Sequence, residues 1–362
     1  MTTVETEYVR FDERSGGYIV SGHDEIAAIL REPGWSSDPR QNPLAPYEIR
    51  ELPPSILLFM DPPDHTRLRR LVSPAFTPRV LNALRPRVSD VVTAALDQLD
   101  DEADLLDDFA YIVPLAVIAE FLDVGAEGAE VFRDSTPDLV RILEMDPTPA
   151  ELAAGTEASI ELLMYLTPVI AHRKQHPGED FISVLLMQDD ITVEEVASTC
   201  ILLLAAGHET TANLIANGTK AILEQPAQRE HLLADPARAV EELLRLEGAV
   251  KFLARIATDG HRVGDHELQP GDLVLADLAA ANTDPRRYSD PRRLDLARKP
   301  QQHLAFGGGS HFCLGAALSR MEGVEALPAL FGRYPGMQLA GTPVWRDSIT
   351  FRALDALPLR LR

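Results

Sequence analysis

Apolar residues recur with a period near 3.6 over most of this chain, the spacing that gives a helix one buried stripe. The segments carrying it are 80–99, 115–122, 152–171, 192–223, 237–246 and 314–331. Short runs with β character are fewer: 17–20, 255–257, 273–275 and the C-terminal 356–362. The pattern predicts a mainly α protein with a small β subdomain. No internal repeat, low-complexity tract or Gly/Ser linker interrupts it, and the 27 prolines are scattered. Scattered prolines mark many helix ends and loops, not one boundary. Residues 1–362 therefore read as a single large domain.

One segment exceeds the others. Thr192 followed by Glu195 is a capping box, and Pro226 closes the pattern. The interval predicts a helix of roughly 30 residues, about 45 Å at 1.5 Å per residue. Ordinary helices average about 11–12 residues, so this one should cross the whole molecule. Its centre reads Ala205-Ala206-Gly207-His208-Glu209-Thr210-Thr211. Glycine and threonine are poor helix formers, and a threonine hydroxyl can divert a backbone hydrogen bond. A local opening of the helix is expected there.

Composition narrows the picture. A chain of 362 residues with 45% apolar content can bury a large core. The first residues, Met-Thr-Thr-Val-Glu-Thr-Glu, are acidic and polar, unlike a signal peptide, and the apolar runs are too short to span a bilayer. Cys200 and Cys313 are the two cysteines, which excludes a disulfide framework and offers no zinc pattern. These features predict a cytoplasmic protein. A net charge of -22 argues against nucleic acid and anionic membrane. Six arginines against one acid in 64–87, and six basic residues against three acids in 284–299, are local exceptions. They suit an acidic protein partner, or are ordinary solvated faces.

The chemistry gathers around Cys313. Phe306-Gly-Gly-Gly309-Ser-His311-Phe-Cys313-Leu-Gly315 fits FxxGxxxCxG and runs into a helical segment. A thiolate that binds iron end-on needs small residues beside it, so that backbone passes close to the cofactor. Backbone N–H groups at a helix start would keep such a sulfur deprotonated. A buried free cysteine beside a glycine turn is the plainer reading of one Cys, and four fixed positions stand against it. The stretch resembles the cysteine loop of the cytochrome P450 family, the haem-thiolate monooxygenases.

The resemblance implies one domain with the long helix lying over haem b (iron protoporphyrin IX), and Cys313 as the iron ligand. Ala206-Gly207-His208-Glu209-Thr210 is similar to the family's oxygen-activating groove, where Glu209 and Thr210 would relay protons and Gly207 would let dioxygen and water approach. A zinc-protease reading fails, because Ala212 stands where a second histidine would be needed. His65 and Arg69, one helical turn apart, with Arg255 and His311, match the residues that hold the haem propionates. Glu242 and Arg245 form the ExxR pair, with Arg293 as the implied third member of a structural ion network. Leu294 departs from the family's usual aromatic, the chain is short for the family, and Pro328 should kink the last long helix. Candidate substrate walls are 43–58, 169–178, 202–206, 248–253 and 345–350, within which Lys251 would attract an anionic substrate or face outward.

The implied activity is insertion of one oxygen atom from O2 into a small organic substrate. Its electrons would come from a ferredoxin-type donor with its reductase. A peroxide-driven hydroxylase and a non-enzymatic haem sensor are the alternatives. Neither has a use for the acid–alcohol pair Glu209-Thr210.

Overall fold

The computed structural model describes residues 8–43, 45 and 55–362. Twelve helices can be numbered along them: α1 (His23–Arg31), α2 (Asp64–Val72), α3 (Pro78–Asp97), α4 (Ile112–Leu122), α5 (Gly125–Arg141), α6 (Pro149–Gln175), α7 (Phe181–Leu186), α8 (Val193–Glu224), α9 (Arg229–Ala234), α10 (Pro236–Glu247), α11 (Leu278–Ala281) and α12 (Ala316–Arg333). Around α8 the periodic faces of α2 to α10 and α12 close into one core that includes Leu68, Phe109, Leu166, Leu204, Ile215, Leu243 and Leu330, all nearly inaccessible. Each helix buries the stripe that its sequence period sets, and removal of this apolar area from water is the main stabilising term.

The long helix is continuous for 32 residues, so the expected opening at its centre is not present. Thr192 accepts from the Glu195 N–H, and the Glu195 carboxylate accepts from the Thr192 N–H, completing the capping box. Such a cap is worth about 1 kcal/mol at a helix start. Pro328 lies inside α12, which runs on past it to Arg333.

Strands β1 (Val9–Asp12), β2 (Gly17–Val20), β3 (Trp35–Ser36), β5 (Phe252–Ala257) and β8 (Leu273–Asp277) form one sheet, ordered β1-β2-β8-β5-β3. With α1 and α11 it encloses a second core of Val20, Ile26, Leu30, Val274 and Leu278. β6 (His261–Val263) pairs with β7 (His266–Leu268), and β4 (Glu102–Asp104) joins β9 (Gln338–Leu339) through β12 (Pro358–Arg360). The hairpin of β10 (Val344–Trp345) and β11 (Leu354–Ala356) lies against the α8 side of the molecule, where its Arg346 reaches Glu209. Among the described residues no helix is long and apolar enough to cross a membrane.

Candidate active site

Cys313 sits in the turn between a short 3-10 segment, Gly309–His311, and the start of α12. Gly309 has φ +66°, and a Cβ there would fall 1.8 Å from the Leu30 carbonyl oxygen. Only glycine lets this loop press against the last turn of α1. Cys313 donates its N–H to the Phe306 carbonyl at 2.9 Å, which closes the loop on itself. A Cβ at Gly315 would meet no atom within 4 Å, so packing alone does not require glycine there. The cysteine is accessible, yet burial is the largest influence on its thiol and pushes it up. The two facts agree for a sulfur at the floor of a recess. The N–H groups of Gly315 and Ala316 and the charges of Arg69 and Arg320 pull in the other direction, toward thiolate.

His65 and Arg69 project from α2, Arg255 from β5 and His311 from the cysteine loop. The imidazoles of His65 and His311 stack with centroids 3.9 Å apart. Burial, together with His65, Arg255 and Arg69, holds His311 down at about 3. Burial likewise lowers Arg255 to about 10, partly offset by Asp61. Arg69 is lowered by burial and gives one hydrogen bond to the Phe312 carbonyl. Among the described residues no ion pair reaches Arg69 or Arg255, and both ring nitrogens of His65 are buried without a partner. Asp61, the acid these groups sense, already accepts from Ser36 and from the Ser37 N–H. A cluster of mutually repelling donors without anions is electrostatically incomplete. Two carboxylates of a flat macrocycle, entering beside a thiolate, are the complement it lacks. The residues present therefore fit haem, and the structure places His65, Arg69, Arg255, His311 and Cys313 together.

Behind the loop, Arg245 gives Nε to Glu242 Oε2 and NH2 to Oε1, both at 2.8 Å, in a pair almost wholly buried. Its NH1 donates to the carbonyls of Asn282 and Pro291, and its guanidinium lies 5.0 Å from the Tyr288 ring centroid. The third member is Arg298, 3.0 Å from Glu242 Oε1. Arg293, the residue expected there, is exposed. Arg298 also donates to the carbonyls of Ser289, Asp290 and Arg293, so one side chain ties up the meander that expectation assigned to its neighbour. The adjacent Leu294 is 1% exposed, an aliphatic core residue where an aromatic was expected.

On α8, Thr210 donates its hydroxyl to the Ala206 carbonyl at 2.7 Å. This is the diversion anticipated for threonine, here accommodated without breaking the helix. Glu209 is buried and accepts from Asn213 at 2.9 Å and Arg346 at 2.7 Å. Arg346 also donates to Asp355 and to the Tyr111 hydroxyl, whose proton burial and Glu209 hold to about 12. His208, lowered by burial to about 4, is neutral and hydrogen-bonds the Tyr111 carbonyl. Gly207 packs closely on a neighbouring helix: a Cβ there would lie 3.2 Å from the Ile118 side chain of α4. Among the described residues neither Glu209 nor Thr210, adjacent on α8, has a hydrogen bond to the cysteine cluster. The missed partners, Tyr111, Arg346 and Asp355, lie 98, 137 and 146 positions from Glu209 in sequence, and no local pattern announces them.

The wall segments are only partly assembled. An isolated bridge between Val250 and Phe351, and the Lys251 N–H to the Thr350 carbonyl at 2.7 Å, bring 248–253 beside 345–350. Lys251 is half-buried, and its ammonium donates to the Ser348 carbonyl. Trp345 is exposed, with Lys220 and Arg352 each 5.5 Å from its ring centroid, so it is a surface residue. Leu202, Leu203 and Ala206 are half-buried on α8. Segment 169–178 ends α6, where Arg173 binds Asp123 and Asp180. Of segment 43–58, residues 44 and 46–54 lie outside the described residues.

Comparison with known proteins agrees with this geometry. The family model described as cytochrome P450 matches residues 237–334. The biotin biosynthesis cytochrome P450 of Bacillus subtilis is 36% identical over 95% of this chain and 90% of its own. The 6-deoxyerythronolide B hydroxylase of Saccharopolyspora erythraea is also 36% identical, with the same two coverages. Among solved structures, P450BioI in complex with an acyl carrier protein carrying hexadec-9Z-enoic acid superposes with TM-score 0.93 at 34% identity, covering 98% of this chain and 96% of that one.

Proposed function

Because the chain belongs to the cytochrome P450 family, a family of haem b monooxygenases, we propose that it inserts one oxygen atom of O2 into a C–H bond or a double bond of a small organic substrate, in the cytoplasm, with residues 1–362 acting as one haem-thiolate domain. Its electrons come from a ferredoxin-type donor and its reductase. Haem b, when bound, supplies the iron at which dioxygen is activated. Everything else falls to side chains of this protein.

Cys313 would hold the haem iron through its sulfur, and the N–H groups at the start of α12 favour its thiolate form. His65, Arg69, Arg255 and His311 hold the two propionates; their supply of buried donors without anions supports the assignment. The Thr210 hydroxyl would be the immediate proton donor of the site. Glu209 replenishes it, and Arg346 holds that carboxylate in place between α8 and the half-exposed Asp355. Leu202, Leu203 and Ala206 give the substrate an apolar wall on α8. The acid–alcohol pair supports chemistry driven by dioxygen over a peroxide-driven hydroxylase or a haem sensor.

The observation that carries the proposal is the unpaired cationic cluster around an accessible Cys313. Reduced protein under carbon monoxide should absorb at the thiolate position, and Cys313→Ser should lose that band. Protein purified without haem after expression with haem supplied, or a Cys313→Ser spectrum unchanged from wild type, overturns it.

A further inference from the structure

A second charged cluster backs onto the cysteine loop. Glu241 precedes Glu242 on α10 and so points to a different side of that helix. Its two oxygens accept from Nε and NH2 of Arg320 on α12, the latter at 3.2 Å. The guanidinium carbon of Arg320 lies 4.5 Å from the centroid of the Phe306 ring. Phe306 is the residue whose carbonyl accepts the Cys313 N–H. His303 completes the group: its Nδ1 accepts the Ala305 N–H at 3.2 Å, and its Nε2 stands 3.2 Å from Glu241 Oε2. A ring that accepts at Nδ1 carries its proton on Nε2, so His303 donates to Glu241. Glu241, His303, Phe306, Phe312 and Arg320 together line one recess of about 260 Å³.

Two cations act on the Cys313 thiol, Arg69 and Arg320. They differ in one respect: among the described residues Arg69 has no carboxylate, whereas Arg320 is paired bidentately with Glu241. Glu241 stays ionised throughout the working range, because the His303 and Arg320 hydrogen bonds overcome burial and hold it at about 2. The pairing thus cancels most of the charge that Arg320 would otherwise present to the sulfur.

We propose that Glu241 is a positioning residue for the haem-thiolate centre: by pairing with Arg320 it sets the net charge behind Cys313, and so how readily the centre accepts an electron. His303 fixes the orientation of the carboxylate. The inference rests on Cys313 being the iron ligand. Adding an electron makes the centre more negative, so an uncovered Arg320 favours the reduced form and an uncovered Glu241 disfavours it. Two unit charges about 10 Å apart at an effective dielectric near 20 shift an equilibrium by about tenfold. A tenfold change is about 59 mV for a one-electron couple.

The test is a double-mutant cycle read by equilibrium reduction potential on haem-loaded protein. Glu241→Gln should raise the potential by about 59 mV, Arg320→Gln should lower it by a similar amount, and the double variant should return to within about a third of either shift, since its charge balance equals that of wild type. A merely structural role would move both single variants the same way, through looser haem binding. Singles that shift in the same direction, or that do not shift, overturn the proposal. Arg320→Lys, which keeps the charge, should stay near wild type; if it behaves like Arg320→Gln, charge is not the cause. Wild-type protein lacking the thiolate carbon monoxide band would instead remove the ligand assignment, an outcome recognised before any variant is measured.

Discussion

Thr210 spends its hydroxyl on the Ala206 carbonyl, 2.7 Å away, and must turn from it to donate elsewhere. The bond is an intrahelical one to a carbonyl that already serves the helix, so rotation about χ1 costs little. Glu209 is held far more firmly, in a buried pair with Arg346 and a hydrogen bond from Asn213. Thr210 is therefore the mobile member of the relay and Glu209 the fixed one. Thr210→Ala should leave haem content and substrate binding intact, yet lower the ratio of product formed to electron donor consumed, with hydrogen peroxide making up the difference. General acid help is worth about 10²–10⁴ in rate, roughly 3–5 kcal/mol, which bounds the loss. An unchanged ratio removes Thr210 from the chemistry.

At the scale of elements, α10 and α12 hold the cysteine loop from behind, and their buried charges decide how well. Arg298→Met should release the meander from Glu242 and lower haem retention, because Glu242 loses one of two cations in a nearly dry site, a change of about 3 kcal/mol or more. Arg293→Met, on an exposed residue, should stay within about 0.5 kcal/mol of wild type. Equal losses in both variants would return the role to Arg293. Glu322 of α12 makes a prediction about pH. It is 2% exposed, its Oε2 has no partner, and burial raises it from 4.5 to about 8. A folded-state value above the unfolded one means stability is complete below about pH 4.5 and declines as pH rises through about 8, where the folded protein still holds a proton the unfolded chain has released. Glu322→Gln should show a flatter stability–pH profile over that window, the two proteins diverging by a few kcal/mol at the alkaline end. Parallel chemical-denaturation profiles from pH 5 to 8.5 would show that Glu322 is not the group responsible.

The whole molecule carries a net charge of -22, against which local arginines stand out. Arg67 is committed to Glu195 and the Asp190 carbonyl, Arg85 to Glu325, and Arg87 lies within 3.5 Å of Glu120. Among the described residues Arg70, Arg79 and Arg292 have no ion pair, so the set of uncommitted arginines is smaller than a count of arginines suggests. If an acidic electron donor uses it, reduction should slow steeply with salt, as the screening length falls from about 10 Å at 0.1 M to about 3 Å at 1 M. Arg70→Glu should reproduce that loss at low salt, while the substrate-induced spectral change is kept. Stopped-flow reduction rates indifferent to salt would make these arginines ordinary solvated surface.

Local information sufficed wherever a short stretch of chain constrains itself. The capping box at Thr192, the periodic stripes of α3, α6, α8, α10 and α12, and the glycine–cysteine spacing of 306–315 are legible because period, cap and turn chemistry act within a few residues. α5 escaped the same reading: its buried face includes Gly128, Ser135 and Thr136, so the apolar period is thin. The cluster proposed to hold haem was legible only through resemblance, since His65, Arg255 and His311 come from three separate elements. What the tertiary structure alone decided are contacts made across long stretches of chain. Arg298 replaces Arg293 at Glu242, Arg346 fixes Glu209, Ile118 packs against Gly207, and Glu241 covers Arg320. Each depends on which side chains two distant elements present to each other, and no one-dimensional spacing carries that information.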